Sequence, residues 1–207
     1  MWDWDLNLVK AHSSCHNKMI VSVAFSKDGS KIVSSSADST CKVWNVDQFL
    51  NQEDIRPVVL KGHQSDVLSA VFNGNGRYVL TSSRDRTAKL WDVGSAQCVK
   101  TFSGHGGVVN AAVFNAGEDE VVTASSDKIV RVWSVETERE LVGLYGHSDS
   151  VTSVALDQEA SRIYTVSHDG TIHVWDYPSL SDIIFDIRQR FEKYPLTDEE
   201  LRELDVI

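Results

Sequence analysis

Short runs of alternating apolar and polar residues, separated by turn residues, recur over most of the chain. One such run is Val-Leu-Ser-Ala-Val-Phe at 67–72, and typical turns are Asp28-Gly29 and Asp169-Gly170. Alternation with a period of two between such turns predicts antiparallel β-strands. The predicted strands lie near 20–25, 31–36, 40–45 and 57–61, then 67–72, 77–83, 87–92 and 97–102, then 109–114, 120–125, 129–134 and 139–145, and finally 151–156, 161–167 and 171–176.

A set of polar and aromatic residues repeats in register with these strands. In each of four units a His precedes an Asp by 22 residues, a Ser stands two residues before the Asp, and a Trp follows the Asp by 6. The sets are His16, Ser36, Asp38 and Trp44; His63, Ser83, Asp85 and Trp91; His105, Ser125, Asp127 and Trp133; His147, Ser167, Asp169 and Trp175. Repeats of about 40–45 residues with Gly-His early and Trp-Asp late are typical of β-propeller blades. In these residues the segment 1–176 resembles the WD-repeat family.

The resemblance implies an all-β fold: a β-propeller of four-stranded antiparallel WD-repeat blades, of which about four are present. It also implies that each set forms a buried hydrogen-bond chain from Asp to His to Ser to the Trp Nε1–H. The chemistry allows this, because neutral His can donate one proton and accept another whereas Trp only donates. A Ser–His–Asp hydrolase needs one triad with an oxyanion hole. Recurrence of the set in every unit therefore favours a structural role and leaves a hydrolase as a distant alternative.

The first unit departs from the pattern in two places. His12 has neighbours like those of His63, whereas His16 has the spacing of the other units, and the spacing favours His16 as the histidine of the first set. About five extra residues lie within 47–56, between the third and fourth strands, where we expect an enlarged loop.

The repeat pattern predicts blades at 16–61, 62–102, 104–145 and 147–176, together with a lone N-terminal strand at 6–11. That strand would complete the last blade by pairing with 171–176, which matters because an open ring exposes strand edges and blade faces. WD-repeat rings usually have about seven blades. Three interpretations are therefore open: a segment of a longer propeller, a homodimer or complementing chain that completes the ring, and a small closed ring.

Residues 177–207 leave the repeat and predict a helical C-terminal tail. Leu180, Ile183, Ile184, Ile187 and Phe191 recur at the spacing of one apolar helix face. Thr197-Asp198-Glu199-Glu200 is a capping-box start for a second short helix. This tail either packs on the propeller or docks another subunit.

Composition narrows the class of function. The 207 residues are 42% hydrophobic with a formal net charge of −10 at pH 7, and phosphate binding needs a positive field, so we expect no nucleic-acid partner. Cys15, Cys41 and Cys98 lack metal-ligand spacing, which indicates free thiols in a reducing compartment. We expect no metal and no cofactor. The start of the chain does not resemble a signal peptide, and no apolar stretch approaches the ~20 residues of a membrane span. These features predict a soluble, cytoplasmic protein without a membrane partner.

Partners of WD-repeat proteins dock mostly on the top face, where the loop before each first strand meets the turn between the second and third strands. The resemblance therefore implies a non-enzymatic interaction scaffold or adaptor for protein or peptide partners. Arg84 is the leading candidate because Arg is enriched at interface hot spots, and His168 can respond to pH. The predicted partner-binding residues are Arg84, Ser126, His168, Gln64, Asp66, Ser148 and Ser150.

An alternative function is the sensor or regulatory half of a larger signalling ATPase or ubiquitin-ligase receptor. The chain contains no G-x-x-x-x-G-K-[ST] phosphate loop, so the catalytic part of such a protein would lie elsewhere.

Overall fold

The computed structural model describes residues 11–51, 55–157 and 162–177. This part of the chain folds into four antiparallel sheets in which the strands follow one another in sequence order. The first sheet contains β1 (Ile20–Phe25), β2 (Lys31–Ser36), β3 (Thr40–Asn45) and β4 (Val58–Lys61). The second contains β5 (Val67–Phe72), β6 (Tyr78–Ser83), β7 (Thr87–Asp92) and β8 (Gln97–Ser103). The third contains β9 (Val109–Phe114), β10 (Glu120–Ser125), β11 (Ile129–Ser134) and β12 (Glu140–Tyr145). The fourth contains β13 (Val151–Asp157), β14 (Arg162–Ser167) and β15 (Ile172–Asp176).

These sheets have the architecture of propeller blades and confirm the prediction of an all-β, antiparallel fold. The strand positions agree with the sequence pattern to within one residue, because each strand has its own period-two alternation between recognisable turns. The predicted strand at 6–11 and nearly all of the predicted helical tail lie outside the described residues.

The insertion after β3 differs from its prediction as a loop, because it begins with a short helix, α1 (Val46–Asn51). The Asn45 side chain accepts a hydrogen bond from the Gln48 N–H at 3.0 Å, which is the contact that an N-cap residue makes. The Phe49 ring then packs edge-on against Trp44, with 5.9 Å between ring centroids. The helix thus packs on the buried tryptophan of the first sheet.

Apolar side chains fill the space between successive sheets. Val43 and Leu60 of the first sheet pack with Val67, Val79 and Trp91 of the second. Equivalent clusters lie between the second and third sheets and between the third and fourth. Each of the two middle sheets is therefore buried on both faces, which fixes the orientation of the loops at its ends.

Candidate functional site

In every sheet a histidine and an aspartate tie the loop before the first strand to the turn between the second and third strands. The His Nδ1 to Asp Oδ2 distances are 3.0 Å for His16–Asp38, 2.7 Å for His63–Asp85, 2.8 Å for His105–Asp127 and 3.0 Å for His147–Asp169. The same aspartate oxygen accepts the N–H of the residue after the histidine, as Gln64 shows at 3.0 Å. Four equivalent clamps therefore hold the loops at one end of the sheets, and we call this end the top face.

A hydroxyl group continues each chain from the histidine to the tryptophan. His Nε2 lies 2.7 Å from Thr81 Oγ1, and Trp91 Nε1 donates to the same oxygen at 2.8 Å. The other three chains have the same geometry, with hydroxyls from Ser34, Thr123 and Thr165. The buried polar chain implied by the family resemblance is present, but its hydroxyl residue is not the predicted one.

The prediction that Ser36, Ser83, Ser125 and Ser167 link His to Trp is wrong. Ser83 lies at the end of β6, where its hydroxyl donates to the Asp66 carbonyl at 2.9 Å and accepts the Asp85 N–H at 3.1 Å. All four serines accept the N–H of their aspartate in this way. They stabilise the turn rather than the tryptophan.

Strand register explains the error. Trp91 pairs with Val79 across the sheet, and a strand rises about 3.3 Å per residue. Thr81 is two residues from Val79 on the same face, whereas Ser83 is four residues away, about 13 Å along the strand. The hydroxyl residue is therefore identified by its two-residue offset from the tryptophan's cross-strand partner, which the register of the sheet supplies.

His16, as predicted, is the histidine of the hydrogen-bond chain in the first sheet. His12 Nε2 instead lies 2.7 Å from the Phe49 carbonyl oxygen, and its ring packs against Phe49. The spacing along the chain was therefore a better guide than the local neighbours.

The arrangement looks like a catalytic triad but has the wrong accessibility for one. Thr81 and Thr165 are fully buried, and Thr123 is 1% exposed. Each hydroxyl also accepts the Trp N–H, so its oxygen cannot reach a substrate without unfolding the sheet. The geometry fits the neutral histidine tautomer that donates from Nδ1 and accepts at Nε2.

Hydrogen bonds lower the pKa of the aspartate in each of these hydrogen-bond chains. Burial alone would raise the pKa of Asp85, but hydrogen bonds from His63, Thr87 and the Gln64 N–H hold it well below its usual range. Burial lowers the pKa of His105, and the neighbouring Asp127 opposes that shift only in part. In the third hydrogen-bond chain, whose Asp127 also has a lowered pKa, these shifts favour an ionised Asp127 beside a neutral His105.

The predicted partner-binding residues lie on the top face with unequal exposure. Gln64, Arg84, Ser148 and His168 are exposed, whereas Asp66, Ser126 and Ser150 are partly buried. Arg84 Nε lies 3.2 Å from Asp66 Oδ2, so two of the candidates form an ion pair.

Two residues that the sequence did not single out join neighbouring blades at this face. Asn110 Nδ2 donates to Ser126 Oγ at 3.1 Å and to the Val151 carbonyl at 2.7 Å. Lys128 Nζ donates to the Ser148 carbonyl at 2.8 Å. The contacts with Val151 and Ser148 cross from the third blade to the fourth, and neither Asn110 nor Lys128 belongs to the repeated set that guided the prediction.

The described residues contain no group of three or more His, Cys, Asp or Glu side chains placed to hold a metal ion. No helix in the described segments is long and apolar enough to cross a membrane.

A family model for the WD domain, G-beta repeat, matches the chain at residues 7–45, 56–92, 96–134 and 138–176. A comparison with curated proteins gave no match. Each matched repeat contains the first three strands of one sheet and one His–Asp clamp, and the last three matches begin with the outer strand of the preceding sheet. Together the matches cover well over half of the sequence. The chain belongs to the WD-repeat family.

Proposed function

We propose that this protein is a non-enzymatic interaction platform that binds protein or peptide partners at its top face. WD repeats generally mediate protein–protein interaction, and the observation that carries the proposal is the fourfold clamp. The clamp fixes the same loop and turn at the same end of every sheet while its own polar groups stay buried. Such a site presents a preorganised surface, which lowers the entropic cost of binding.

Arg84 and Asp66 are the centre of the proposed surface. The guanidinium side chain is 57% exposed and the carboxylate side chain 34% exposed, so the pair is accessible and solvent weakens its attraction. A carboxylate of a partner can replace Asp66 beside Arg84 at a small cost in free energy, because the Arg84–Asp66 pair is solvent-exposed and Arg can bind the new carboxylate in a bidentate geometry. An acidic peptide segment is the partner chemistry that fits this position.

A catalytic function has less support. The hydroxyls that complete an Asp–His–Thr or Asp–His–Ser chain are buried in all four blades, and their partners are already engaged. We also assign the protein to the cytoplasm, and this is supported by Cys15, Cys41 and Cys98, which are free thiols of the kind that persist in reducing compartments.

The proposal is tested by affinity capture with matched charge reversals on opposite faces. Arg84→Glu reverses the charge at the top face, and Arg77→Glu reverses a comparable exposed arginine near the other end of the same sheet, where Arg77 pairs with Asp92 at 3.1 Å. We expect partners captured by the unchanged protein to be retained by Arg77→Glu and to fall by about tenfold or more with Arg84→Glu. Equal recovery by all three proteins, or loss with Arg77→Glu alone, would contradict the top-face assignment.

A further inference from the structure

We propose that two copies of this chain associate head to tail through the outer faces of the first and fourth sheets, and that this closes an eight-bladed ring. This inference rests on the outer faces of two sheets and not on the surface around Arg84. It can therefore be tested independently of the proposed function.

The first sheet exposes the apolar face that the other three sheets bury. We define the leading face of a sheet as the one that packs on the preceding sheet. On the first sheet it includes Ile20 and Val23, which are 48% and 66% exposed. Their counterparts at the same repeat positions are Val67 and Ala70, Val109 and Ala112, and Val151 and Val154, all at 6% exposure or less.

The fourth sheet exposes the opposite, trailing face. Ile172 and Val174 of β15 are 69% and 53% exposed. Their counterparts on the trailing faces of the other sheets are Cys41 and Val43, Ala88 and Leu90, and Val130 and Val132, all at 5% exposure or less. The described structure therefore carries one unpaired face of each kind.

The two unpaired faces are complementary, because the same positions already meet at every internal junction. Val43 shares a core cluster with Ala70, Leu90 with Ala112, and Val132 with Val154. Joining a trailing face to a leading face places Val174 of one copy against Val23 of the other. That junction brings two valines together, just as Val132 and Val154 belong to one core cluster within the chain.

Charge favours the same pairing. Residues 16–61 contain six Lys or Arg and five Asp or Glu, which gives a net charge of +1. Residues 147–176 contain one Arg and five Asp or Glu, which gives a net charge of −4. A head-to-tail contact brings the blade of positive net charge to the blade of strongly negative net charge. Contact between two fourth blades would instead join like charges and be opposed.

The partner copy would also complete the top face. At the internal junction between the third and fourth sheets, Lys128 of one turn donates to the Ser148 carbonyl of the next loop. The equivalent turn of the fourth sheet contains His168, and in the ring it faces the loop before β1 of the second copy. The surface around His168 is then formed by two chains.

The test measures absolute mass by light scattering for the unchanged chain and for three variants. Val23→Lys and Val174→Glu each place a charge on one unpaired face, and the control Val99→Lys alters a valine of β8 that is 42% exposed but lies on neither face. We expect about 46 kDa for the unchanged chain and the control, twice the 23.1 kDa of one copy. Each face variant alone should be monomeric, with association weakened by about tenfold or more.

A mixture of the two face variants makes the test specific for head-to-tail contact. In the mixed dimer one junction is unaltered and the other joins Lys to Glu, so we expect the mass to return to about 46 kDa. A monomeric unchanged chain at the highest soluble concentration would overturn the proposal. So would a dimer that Val174→Glu leaves intact, a polydisperse assembly, or a mixture that stays monomeric although both variants keep the β-sheet circular dichroism spectrum of the unchanged chain.

Discussion

At the scale of single residues, the stability of each blade depends on a polar chain whose members all have partners. The Asp accepts from His Nδ1–H, His Nε2 accepts from a hydroxyl, and that hydroxyl accepts from Trp Nε1–H. Buried polar groups cost little when every donor meets an acceptor, and they cost much more when one partner is removed. The hydroxyl residue is therefore as important to the blade as the conspicuous His, Asp and Trp.

Thr123→Val tests the identity of that hydroxyl residue. Valine has nearly the same shape, but His105 Nε2 and Trp133 Nε1 both lose their partner. We expect the free energy of unfolding to fall by about 1–3 kcal/mol, measured by denaturant titration. The control Thr137→Val, at an exposed threonine, should change stability by less than about 0.5 kcal/mol. Equal effects of the two substitutions would refute the role of Thr123.

The hydrogen-bond chain that contains His105 and Asp127 makes the stability of the protein depend on pH. Burial lowers the pKa of His105 in the folded state from its usual 6.5, so below pH 6.5 the unfolded chain takes up a proton that the folded chain does not. Burial alone would raise the pKa of Asp127, but its hydrogen bond from His105 holds it below its usual 3.8. Further stability is therefore lost as the pH falls below 3.8. Denaturant titrations from pH 7 to pH 4 should show decreasing stability, and His105→Gln should make the decrease just below pH 6.5 shallower. A flat profile would contradict the buried, neutral histidine.

At the scale of elements, the turn between the second and third strands has one conformation in all four blades. The residue after the aspartate has a positive φ each time: 68° at Ser39, 70° at Arg86, 74° at Lys128 and 81° at Gly170. Of these four residues, only Gly170 is of a type that readily adopts a positive φ. In all four blades the aspartate side chain stabilises the turn, as when Asp127 Oδ1 accepts the Ile129 N–H at 3.1 Å. The turns were predictable because the aspartate recurs, although the local residues differ.

The loop before β9 approaches this turn so closely that only glycine fits at one position. A Cβ at Gly107 would lie 2.7 Å from the Asp127 nitrogen and 3.0 Å from the Ser126 carbonyl carbon. Gly107→Ala should therefore lower stability by about 1–3 kcal/mol, because the turn backbone must move. At the neighbouring Gly106 the nearest atom would be 3.7 Å away, so Gly106→Ala is the matched control, with a much smaller change in melting temperature. If the two variants melt together, the loop and turn are not in the contact described.

At the scale of the whole molecule, the sequence predicted the blades well and the links between them poorly. Strand positions follow from alternation, and four aspartates pair with the expected histidines because both recur at fixed spacing. The hydroxyl residue of each hydrogen-bond chain can be identified only from the strand register, and the pattern of residue types does not determine that register. Asn110 and Lys128 bridge two blades through contacts that depend on how the sheets are placed, and α1 formed where an insertion had no counterpart in the other repeats.

The interaction platform is best examined by hydrogen exchange on the complex with a partner recovered by affinity capture. We predict slower exchange in the loops and turns of the top face and unchanged exchange in the turns at the opposite end. The protected segments should be drawn from 63–66, 84–86, 105–108, 126–128, 147–150 and 168–170, and the unchanged ones should be 26–30, 73–77 and 115–119. Protection confined to the second group, or to the outer strands, would contradict the platform as described.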